Sequence, residues 1–269
     1  NIDWRMNNLA SYRSIILSSC RSYSSSINKI NWKKDTVYLY QFPRSPVVPN
    51  LSPYCLKVET YLRIKNIKHE TVEGYRLKSS KGLLPFIELN GEQIPDSGII
   101  IRRLEKHFEV EDKLSNEEKG VARAIDKMLD GNTLHAIQLD RLVKNAHKFA
   151  SRHVSGIPLP AFITNRIGDR MAKIMGSRMR RTLGDMNDEE IRDILKIDLR
   201  AINDILGDKR FLFGDVPSAI DCSVFGHIAS AYYLPYRQTL SDVIDDDLPS
   251  LKRHMERIRA HYYPEWKNQ

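Results

Sequence analysis

The pattern of apolar and polar residues divides the chain into a mixed first part and a helical second part. Val37–Phe42 is β-branched and aromatic, which predicts a short buried strand, and Lys68–Gly74 predicts a second strand. Between them, apolar residues at helical spacing predict a helix over Cys55–Ile64. Ser52 precedes this helix as its N-cap, and Pro53 occupies its first position. The proline-rich segment before Ser52 is predicted to be a loop.

The next apolar runs predict a hairpin followed by another helix. Leu84–Leu89 and Gln93-Ile94 have strand composition and flank Asn90-Gly91, a strong two-residue hairpin signal. Asp96-Ser97 then caps a helix that runs to Phe108. The predicted order is β-α-β-(α)-β-β-α, where the brackets mark a further helix between the second and third strands.

Beyond a short linker near residues 109–114, the whole pattern is helical. Ser115-x-x-Glu118 and Asn187-x-x-Glu190 are capping boxes that open long amphipathic helices, and Gly207 ends the second of them. Pro249 begins a last helix that extends to about His261. The chain is thus predicted to comprise a disordered leader or targeting segment (1–35), an α/β domain (36–109), an all-helical domain (115–262) and a tail (263–269).

Composition limits the class of protein. The 269 residues are 41% hydrophobic and 28% charged, which suits a globular protein with a real core. The longest apolar run near the N-terminus is Ile15-Ile16-Leu17, which is far too short to cross a bilayer, and no later segment is long enough either, so no transmembrane segment is predicted. Cys20, Cys55 and Cys222 lie far apart without a CxxC pair, which favours a reducing compartment. The histidines show no metal-ligand spacing, so no metal is expected.

The net charge of +8 is concentrated in two places. Residues 1–36 carry +4 and residues 166–181 carry +5, which leaves the remainder almost neutral. No aromatic residues are interleaved with the Arg166–Arg181 charges, so nucleic-acid binding is not predicted. The stretch is typical of a solvated helix face; the alternative is a basic surface that associates peripherally with acidic membranes.

The first 34 residues resemble a mitochondrial targeting peptide. They are rich in Ser and Arg, poor in acids, and Arg5, Arg13, Arg21 and Lys29 recur every eight residues. Arg21-Ser22-Tyr23 is similar to a matrix-protease cleavage site. The alternative is an untargeted disordered extension, so the predicted location is either cytoplasmic or mitochondrial.

Three short motifs in the first domain resemble those of the thioredoxin fold, and more narrowly of the glutathione-transferase N-terminal domain. Ser52-Pro53-Tyr54-Cys55 is similar to the glutaredoxin motif Cys-Pro-Tyr-Cys, with serine in the nucleophile's place. Leu84-Pro85 is similar to the family's cis-proline turn, and Asp96-Ser97 to the acidic-Ser pair that holds the γ-glutamyl end of glutathione.

The second domain carries a matching signature. The segment 211–221 resembles that of the all-helical transferase C-terminal domain, in which Ser218 caps a buried helix and Asp221 reaches back to its first N–H groups. Both are expected to be structural. Tyr40–Pro43, Ser52–Arg63 and Pro85–Ser97 are most similar to the failed axon connections and metaxin-related branch, which includes nematode cadmium-responsive proteins. The implied fold class is α/β plus all-α: a thioredoxin-like domain followed by a helical transferase-type domain.

The resemblance implies a hydroxyl that stabilises the glutathione thiolate. A free thiol has a pKa near 8.5, so lowering it by about two units requires roughly 2.7 kcal/mol. A hydrogen bond to a charged acceptor supplies about 1.5–3 kcal/mol, and a helix N-terminus about 0.3–1 kcal/mol. Ser52 combines both and is the first candidate; its alternative is a plain N-cap. Tyr40 is the alternative hydroxyl, or else a core aromatic. Cys55 is expected to be a buried structural thiol, with a reactive thiol as the alternative.

The same resemblance implies how the peptide is held. The backbone of Leu84, exposed by a cis bond to Pro85, would pair with the cysteinyl unit of glutathione. Asp96 would meet the γ-glutamyl ammonium and Ser97 its carboxylate, and Tyr54 would line the site. A small hydrophobic electrophile would bind between the domains. Candidate pocket aromatics are Phe149, Phe162, Tyr232, Tyr233 and Tyr236. The loop Pro43–Pro49 either covers or obstructs the site.

The leading functional hypothesis is therefore a glutathione-binding, transferase-like enzyme that conjugates glutathione to small electrophiles. Glutathione is implied as a substrate together with the electrophile, and a homodimer is the family's habit. The alternative is a non-catalytic interaction or scaffold protein of the failed axon connections or metaxin type. A weaker third idea is an adaptor that docks on acidic membranes through Arg166–Arg181.

Overall fold

A four-stranded mixed sheet organises the first part of the chain in the computed structural model, which describes residues 27–266. The strands are β1 (Val37–Gln41), β2 (His69–Glu73), β3 (Phe86–Leu89) and β4 (Glu92–Pro95), in the order β2-β1-β3-β4. β1 is parallel to β2 and antiparallel to β3, and β3 is antiparallel to β4. The hairpin prediction is confirmed, since Asn90 and Gly91 join β3 to β4 with positive φ.

Two helices cover one face of this sheet. They are α1 (Pro53–Ile64) and α2 (Ser97–Phe108), both starting where the sequence predicts. Val37 and Leu39 of β1 pack with apolar residues of both helices, whereas Tyr38 and Tyr40 point to the opposite face beside Phe86. β1 is therefore buried on both faces, as its continuous apolar composition predicts.

The helix allowed between the second and third strands is absent from the structure. Residues 74–85 form turns instead. Ser79 is the centre of this segment, because its backbone N–H and its hydroxyl both donate to the Leu83 carbonyl, at 3.3 Å and 2.8 Å. Gly82 has a φ of +75°, which a helix does not accept. These local bonds satisfy the backbone without a helix.

The rest of the described chain is helical. The helices are α3 (Asn116–Met128), α4 (Leu134–Gln138), α5 (Ala146–Ala150), α6 (Arg152–Ser155), α7 (Ala161–Leu183), α8 (Asp188–Leu206), α9 (Ala219–Tyr232), α10 (Thr239–Asp247) and α11 (Pro249–Tyr262), with π-helical turns at Leu129–Thr133 and Leu139–Lys144. The capping boxes at Ser115 and Asn187 are both formed, and α8 ends at Gly207. A thioredoxin-like sheet followed by a helical half is the predicted fold class, and it is confirmed.

The two halves share a core. Leu56 of α1 lies in the apolar cluster of the helical half, and Cys222 of α9 lies in the cluster beneath the sheet. α1 and α9 cross so closely that a Cβ at Gly226 would come within 2.7 Å of the Pro53 carbonyl oxygen and the Lys57 nitrogen. Glycine at 226 therefore permits the contact that fixes the relative placement of the halves.

The ends of the described chain differ from the predicted leader and tail. Residues 28–35 are hydrogen bonded to the β3–β4 hairpin: the Asn28 N–H donates to Glu88 at 2.7 Å, and the Asp35 N–H donates to Asn90 at 2.8 Å. The predicted tail begins with Tyr263, which is 1% exposed, and the Trp266 indole donates to the Val47 carbonyl at 3.0 Å. Both segments are thus part of the folded structure. Residues 28–35 donate hydrogen bonds to the hairpin, and the segment that begins with Tyr263 supplies a buried ring and an indole donor.

The targeting motif itself lies outside the described residues, as do Cys20 and Arg21-Ser22-Tyr23. Mitochondrial or cytoplasmic location stays a prediction. Within residues 27–266, no helix combines the length and the apolar composition needed to cross a bilayer.

Candidate glutathione site

A cleft of about 610 Å³ opens between the sheet and the helical half. Its first wall comes from the starts of α1 and α2 and from the turn before β3. The five residues predicted to bind the peptide all line this wall: Tyr54, Leu84, Pro85, Asp96 and Ser97. The fold therefore brings together residues that the sequence separates by more than forty positions. Their individual roles remain predictions.

The start of α2 is built by Asp96. Its carboxylate accepts hydrogen bonds from the backbone N–H groups of Gly98 at 3.0 Å and Ile99 at 3.1 Å. Asp96 has a φ of +78°, an uncommon backbone conformation for a residue other than glycine. Strained backbone of this kind is concentrated at binding sites. Asp96 thus orients the N-terminal turn of α2 and also places a carboxylate at the cleft.

The proline turn completes the first wall. The peptide bond between Leu84 and Pro85 is cis, as the resemblance implies. Pro85 is buried, whereas Leu84 is half-buried and faces the cleft. Tyr54 lies one residue inside α1, its ring meeting the His227 ring edge-on at 5.4 Å. Burial raises the pKa of Tyr54 to about 12, so its hydroxyl is protonated at neutral pH and available as a donor.

Ser52 is positioned differently from the residues above. Its hydroxyl caps α1 by accepting a hydrogen bond from the Cys55 N–H at 3.4 Å. Ser52 is half-buried and is not among the residues that line the cleft. A hydroxyl that accepts one bond keeps its own proton to donate, so capping and contact with a ligand are chemically compatible. Its predicted role as the thiolate-binding group therefore stays a prediction.

Tyr40, the alternative hydroxyl, is enclosed by the sheet. Its ring stacks on Phe86 with centroids 4.4 Å apart, and its hydroxyl donates to Glu88 at 2.8 Å. Burial and the Glu88 carboxylate raise the pKa of Tyr40. Tyr40 is 2% exposed and does not line the cleft. The arrangement is that of a core aromatic.

Cys55 is fully buried in α1. Burial raises the pKa of its thiol to about 11, although hydrogen bonds with Ser52 and the Phe42 backbone act to lower it. The thiol is therefore protonated at neutral pH and out of reach of a ligand in the cleft. Burial of the thiol is compatible with a structural role for Cys55, which stays a prediction.

A polar network under the cleft was not foreseen from the sequence. The Lys57 ammonium, which is almost wholly buried, lies 2.7 Å from the Asp126 carboxylate, and Ser223 donates to the same oxygen at 3.1 Å. Burial opposes ionisation of Asp126, but the Lys57 charge holds its pKa below the usual range. Asp130 follows one turn later and receives a hydrogen bond from Lys127 at 2.6 Å. No local pattern marks Lys57, because its partner lies on another domain.

The Asp130 carboxylate also faces a buried histidine. Its Oδ1 lies 3.4 Å from Nε2 of His227, which is fully buried. Although burial would raise the pKa of Asp130, His227 and Lys127 hold it well below its ordinary value. Asp126 and Asp130 are thus ionised and matched by cations at the cleft floor.

Besides Arg123, three further cations line the cleft: Lys81, Arg102 and Arg178. Within residues 27–266, none of them lies within 4 Å of a carboxylate. Arg102 lies beside the start of α2, since a Cβ at Gly98 would be 3.6 Å from its Nη1. Arg178 comes from α7 on the opposite side of the cleft. The cleft therefore carries an excess of positive charge, which suits an anionic ligand.

The aromatic pocket expected for a hydrophobic electrophile is not found in the cleft. Phe149, Tyr233 and Tyr236 pack in an apolar cluster with Val48 and Val154. Phe162 is 69% exposed on α7, and Tyr232 donates to Asp245 on a different surface. The sequence made these residues pocket candidates only because they are aromatic, and the helices direct their side chains away from the cleft. The expectation of an aromatic wall is therefore wrong.

The loop over Pro43–Pro49 lies apart from the cleft. The Ser45 hydroxyl donates to the Val154 carbonyl at 2.6 Å, and Val48 is buried among residues of the helical half. None of the residues that line the cleft belongs to this loop. It neither covers nor obstructs the cleft.

Ser218 and Asp221 form the contact that the sequence suggested. The Asp221 carboxylate accepts from the Ser218 N–H at 2.8 Å and from its hydroxyl at 2.7 Å. It also accepts from the Leu212 N–H at 2.9 Å and lies 2.9 Å from His254. Asp221 is completely buried and does not line the cleft. Its geometry is that of a residue that fixes α9.

Metal chemistry finds no support in the described part of the chain. Over residues 27–266, no three side chains of His, Cys, Asp or Glu come together in a way that would hold a metal ion.

Comparison with protein families and known proteins assigns both halves to one superfamily. The family model described as Glutathione S-transferase N-terminal domain matches residues 53–147. The model described as Glutathione S-transferase, C-terminal domain matches residues 195–258.

Three known proteins illustrate the range of relatives. Failed axon connections of Drosophila melanogaster is 36% identical over 256 residues. The match covers 90% of this chain and 61% of that protein, so this chain spans less than two thirds of that relative. Isoprene-epoxide–glutathione S-transferase of Rhodococcus sp. (strain AD45) is 25% identical over 225 residues, 80% of this chain and 94% of that one. Metaxin-2 of Mus musculus is 22% identical over 248 residues, 87% of this chain and 91% of that one.

Solved structures show the same fold. Glutathione transferase GSTFuA3 from Phanerochaete chrysosporium has a TM-score of 0.60 at 15% identity, covering 85% of this chain and 98% of that one. Since transferase models match both halves and a solved transferase shares the arrangement of sheet and helices, the chain belongs to the glutathione-transferase-like superfamily, with failed axon connections and metaxin proteins among its relatives.

Proposed function

We propose that this chain binds glutathione in the cleft between the sheet and the helical half. The convergence of Tyr54, Leu84-Pro85 and Asp96-Ser97 on one cleft is the observation that carries the proposal. Family membership supports it, because the transferase fold is built to hold this peptide. Function resides in the site rather than the fold, so the residues present have to match the ligand.

The chemistry of the first wall matches the parts of glutathione. The γ-glutamyl ammonium fits the Asp96 carboxylate, and the γ-glutamyl carboxylate fits the N-terminal turn of α2 at Ser97. The cysteinyl backbone fits the edge of the turn at Leu84. Lys81 and Arg102 supply positive charge for the peptide's carboxylates. In this pose the sulfur lies toward the start of α1.

We propose that the bound thiol is conjugated to small electrophiles. The thiol loses its proton to solvent, and the thiolate attacks an electrophilic carbon. A carbon–sulfur bond forms, and the leaving group departs with the electron pair of the broken bond. In this proposal Ser52 donates its hydroxyl hydrogen to the thiolate, and the N-terminus of α1 adds its partial positive charge.

A non-catalytic binding or scaffold role is the second candidate. Two observations favour it: Ser52 does not line the cleft, and the Tyr40 hydroxyl is committed to Glu88 inside the sheet. Similarity to failed axon connections over most of this chain is compatible with either role. Both candidates are compatible with glutathione binding, but only the enzyme would turn substrate over.

Thermal unfolding with two ligands, followed by an activity assay, distinguishes an enzyme, a non-catalytic binding protein and a protein that does not bind glutathione. The ligands are glutathione and its analogue in which a methyl group replaces the thiol. At a hundredfold excess over Kd, either should raise Tm by about 5–10 °C if the peptide is bound. Conjugation is then measured on the same preparation, with chlorodinitrobenzene and with its acidic analogue 4-chloro-3,5-dinitrobenzoate. Binding with turnover supports the enzyme; binding without turnover supports the scaffold; no Tm rise with either ligand rejects glutathione binding.

Assembly as a homodimer is a further part of the proposal, supported by family habit. Sedimentation velocity of the full chain over a range of concentrations tests it. A single species with the mass of one chain would reject the dimer.

A further inference from the structure

The wall of the cleft opposite the glutathione anchors is polar and basic. α3, α4 and α7 and the turn between the first two supply it, and Leu134 is their only apolar contribution. The charged or polar residues of this wall are Arg123, Asp126, Lys127, Asp130, His135, Gln138 and Arg178. In a cleft for apolar electrophiles this wall would carry aliphatic or aromatic side chains.

The carboxylates of this wall are already matched. Asp126 is bound by Lys57 at 2.7 Å, with Arg123 at 3.5 Å from its second oxygen. Asp130 is bound by Lys127 at 2.6 Å. Arg178 is left with no carboxylate within 4 Å among residues 27–266. It lies close enough to Tyr54 for its charge to oppose the burial that raises the pKa of the Tyr54 hydroxyl.

The cations on the two walls have different expected partners. Lys81 and Arg102 lie on the side of the glutathione anchors and match the carboxylates of the peptide itself. Arg178 projects from the opposite wall, where the second substrate would be held. Covering an unpaired guanidinium with an apolar group removes its water without replacing the lost hydrogen bonds, which is unfavourable. A carboxylate there would form a charge-assisted, bidentate pair.

We infer that the electrophile sharing this cleft carries a carboxylate, and that Arg178 binds it. This inference rests on the proposed glutathione binding and proposes an acidic electrophile in place of a hydrophobic one. Arg178 would then set specificity, because it favours acidic electrophiles and disfavours apolar ones of similar size.

Two glutathione S-conjugates test the inference by calorimetry on the full chain. S-(1,2-dicarboxyethyl)glutathione and S-butylglutathione share the tripeptide and differ in the group placed against Arg178. We expect the dicarboxyethyl conjugate to bind at least about tenfold more tightly, the effect of one charge-assisted hydrogen bond. Arg178→Gln should abolish this preference: the dicarboxyethyl conjugate should bind at least about tenfold more weakly, and S-butylglutathione should bind as tightly as before or more tightly, because its butyl group no longer covers a guanidinium. Arg181→Gln is the matched control, since Arg181 lies on the same helix but does not line the cleft.

Failure of the Arg178 inference can be distinguished from failure of the proposed glutathione binding. Equal affinities for the two conjugates, or a preference that survives Arg178→Gln, would overturn the inference while glutathione binding stands. If neither conjugate nor glutathione itself binds, the proposed function fails.

The outward face of α7 supports a second and independent proposal. Phe162, Ile167 and Ile174 are 69%, 37% and 55% exposed. Arg166, Arg170 and Lys173 share that face, because residues three, four and seven apart lie on one side of a helix. The only acid in α7, Asp169, is engaged by His147 at 2.6 Å. The three basic residues have no carboxylate within 4 Å in the described part of the chain.

We propose that this face of α7 docks on an anionic lipid bilayer. A helix of 23 residues is about 35 Å long and lies on the protein surface, packed on one side by α5 and the second π-helical turn. Exposed apolar side chains between basic ones are typical of helices that lie in the membrane interface. Each basic residue near an anionic surface contributes about 1 kcal/mol of attraction.

Co-sedimentation with vesicles tests this docking. We expect binding to phosphatidylcholine vesicles that contain phosphatidylserine, and none to phosphatidylcholine alone. The double variant Arg170→Glu/Lys173→Glu should lose at least about tenfold in affinity. The control is Arg192→Glu/Arg200→Glu, which changes the net charge by the same amount. Arg192 pairs with Asp246 and Arg200 with Asp247, on a different helix. No binding of the wild type, or equal losses in both double variants, would overturn the proposal.

Discussion

The hydroxyl oxygen of Ser52 accepts a hydrogen bond from the backbone N–H of Cys55 at a distance of 3.4 Å. This bond satisfies one of the free N–H groups at the start of α1. The same hydroxyl is the one that the transferase resemblance assigns to the glutathione sulfur. Capping of α1 and the proposed contact with the thiolate therefore place separate demands on Ser52, and substitution can separate them.

Replacement of Ser52 separates its two roles. Ser52→Ala removes the cap and should lower the free energy of unfolding by about 1 kcal/mol. Ser52→Asp restores a capping oxygen without a hydrogen-bond donor and should stay within a few tenths of a kcal/mol of the wild type. If Ser52 stabilises the thiolate, both variants lose conjugation and raise the pKa of the bound thiol. Denaturant unfolding and the ultraviolet absorbance of the bound thiolate check the two effects. Full conjugation activity in Ser52→Asp would restrict Ser52 to capping.

The ion pair of Lys57 and Asp126 should contribute to stability because it connects the two halves away from solvent. Lys57→Met leaves the Asp126 carboxylate half-buried without its main cation, so we expect a loss of about 2 kcal/mol. A double-mutant cycle with Asp126→Asn should give a coupling of about 1–2 kcal/mol. The surface pair of Lys252 and Asp245 is the control and should couple by less than about 1 kcal/mol. Similar coupling energies for the two pairs would contradict this account.

Asp221 should make stability depend on pH. Burial opposes its ionisation, but His254 and two backbone N–H groups lower its pKa in the folded state. A carboxyl whose folded pKa is depressed stabilises the fold above its unfolded pKa of about 4 and loses that contribution as the pH falls through the folded value.

The variant Asp221→Asn measures that contribution. It should destabilise by about 2–3 kcal/mol at neutral pH, and the difference from the wild type should shrink below about pH 4. Denaturant unfolding at a series of pH values provides the comparison. The exposed Asp215→Asn should change stability by less than about 0.5 kcal/mol throughout. A constant difference between Asp221→Asn and the wild type would show that the charge of Asp221 is not responsible.

Tyr263 should be required for stability although it follows the last helix. Its ring stacks on Phe225, and its hydroxyl lies 2.8 Å from that of Thr60 in α1. Tyr263→Ala removes a fully buried ring and should cost about 3–5 kcal/mol. Tyr263→Phe loses only the hydrogen bond, about 1 kcal/mol. Thermal unfolding distinguishes them, with the exposed Val216→Ala as control. A Tyr263→Ala variant as stable as the wild type would mean that this residue is a mobile tail after all.

Features encoded in a few neighbouring residues were predictable from the sequence. The capping boxes at Ser115 and Asn187, the Asn90-Gly91 hairpin and the proline start of α1 depend only on local backbone chemistry. The five peptide-binding candidates were found because short motifs carry the resemblance, and the fold brings them to one cleft.

Contacts between distant residues were not predictable in this way. Lys57 and Asp126 are 69 positions apart, and their meeting depends on how the fold places α1 against α3. Arg178 was visible only as one charge in a basic stretch, since a sequence does not show which helix face turns toward the cleft. Aromatic residues were assigned to the cleft by type alone, and tertiary packing directs them elsewhere.

Calorimetric titration of glutathione into the full chain tests the central claim most directly. We predict saturable binding of one glutathione per chain, and at least about tenfold weaker binding by Asp96→Asn. Asparagine keeps the N-cap of α2 and tolerates the positive φ at this position, so an unchanged Tm in this variant would assign the loss to the missing charge. No heat with millimolar glutathione, or wild-type affinity in Asp96→Asn, would contradict glutathione binding in this cleft.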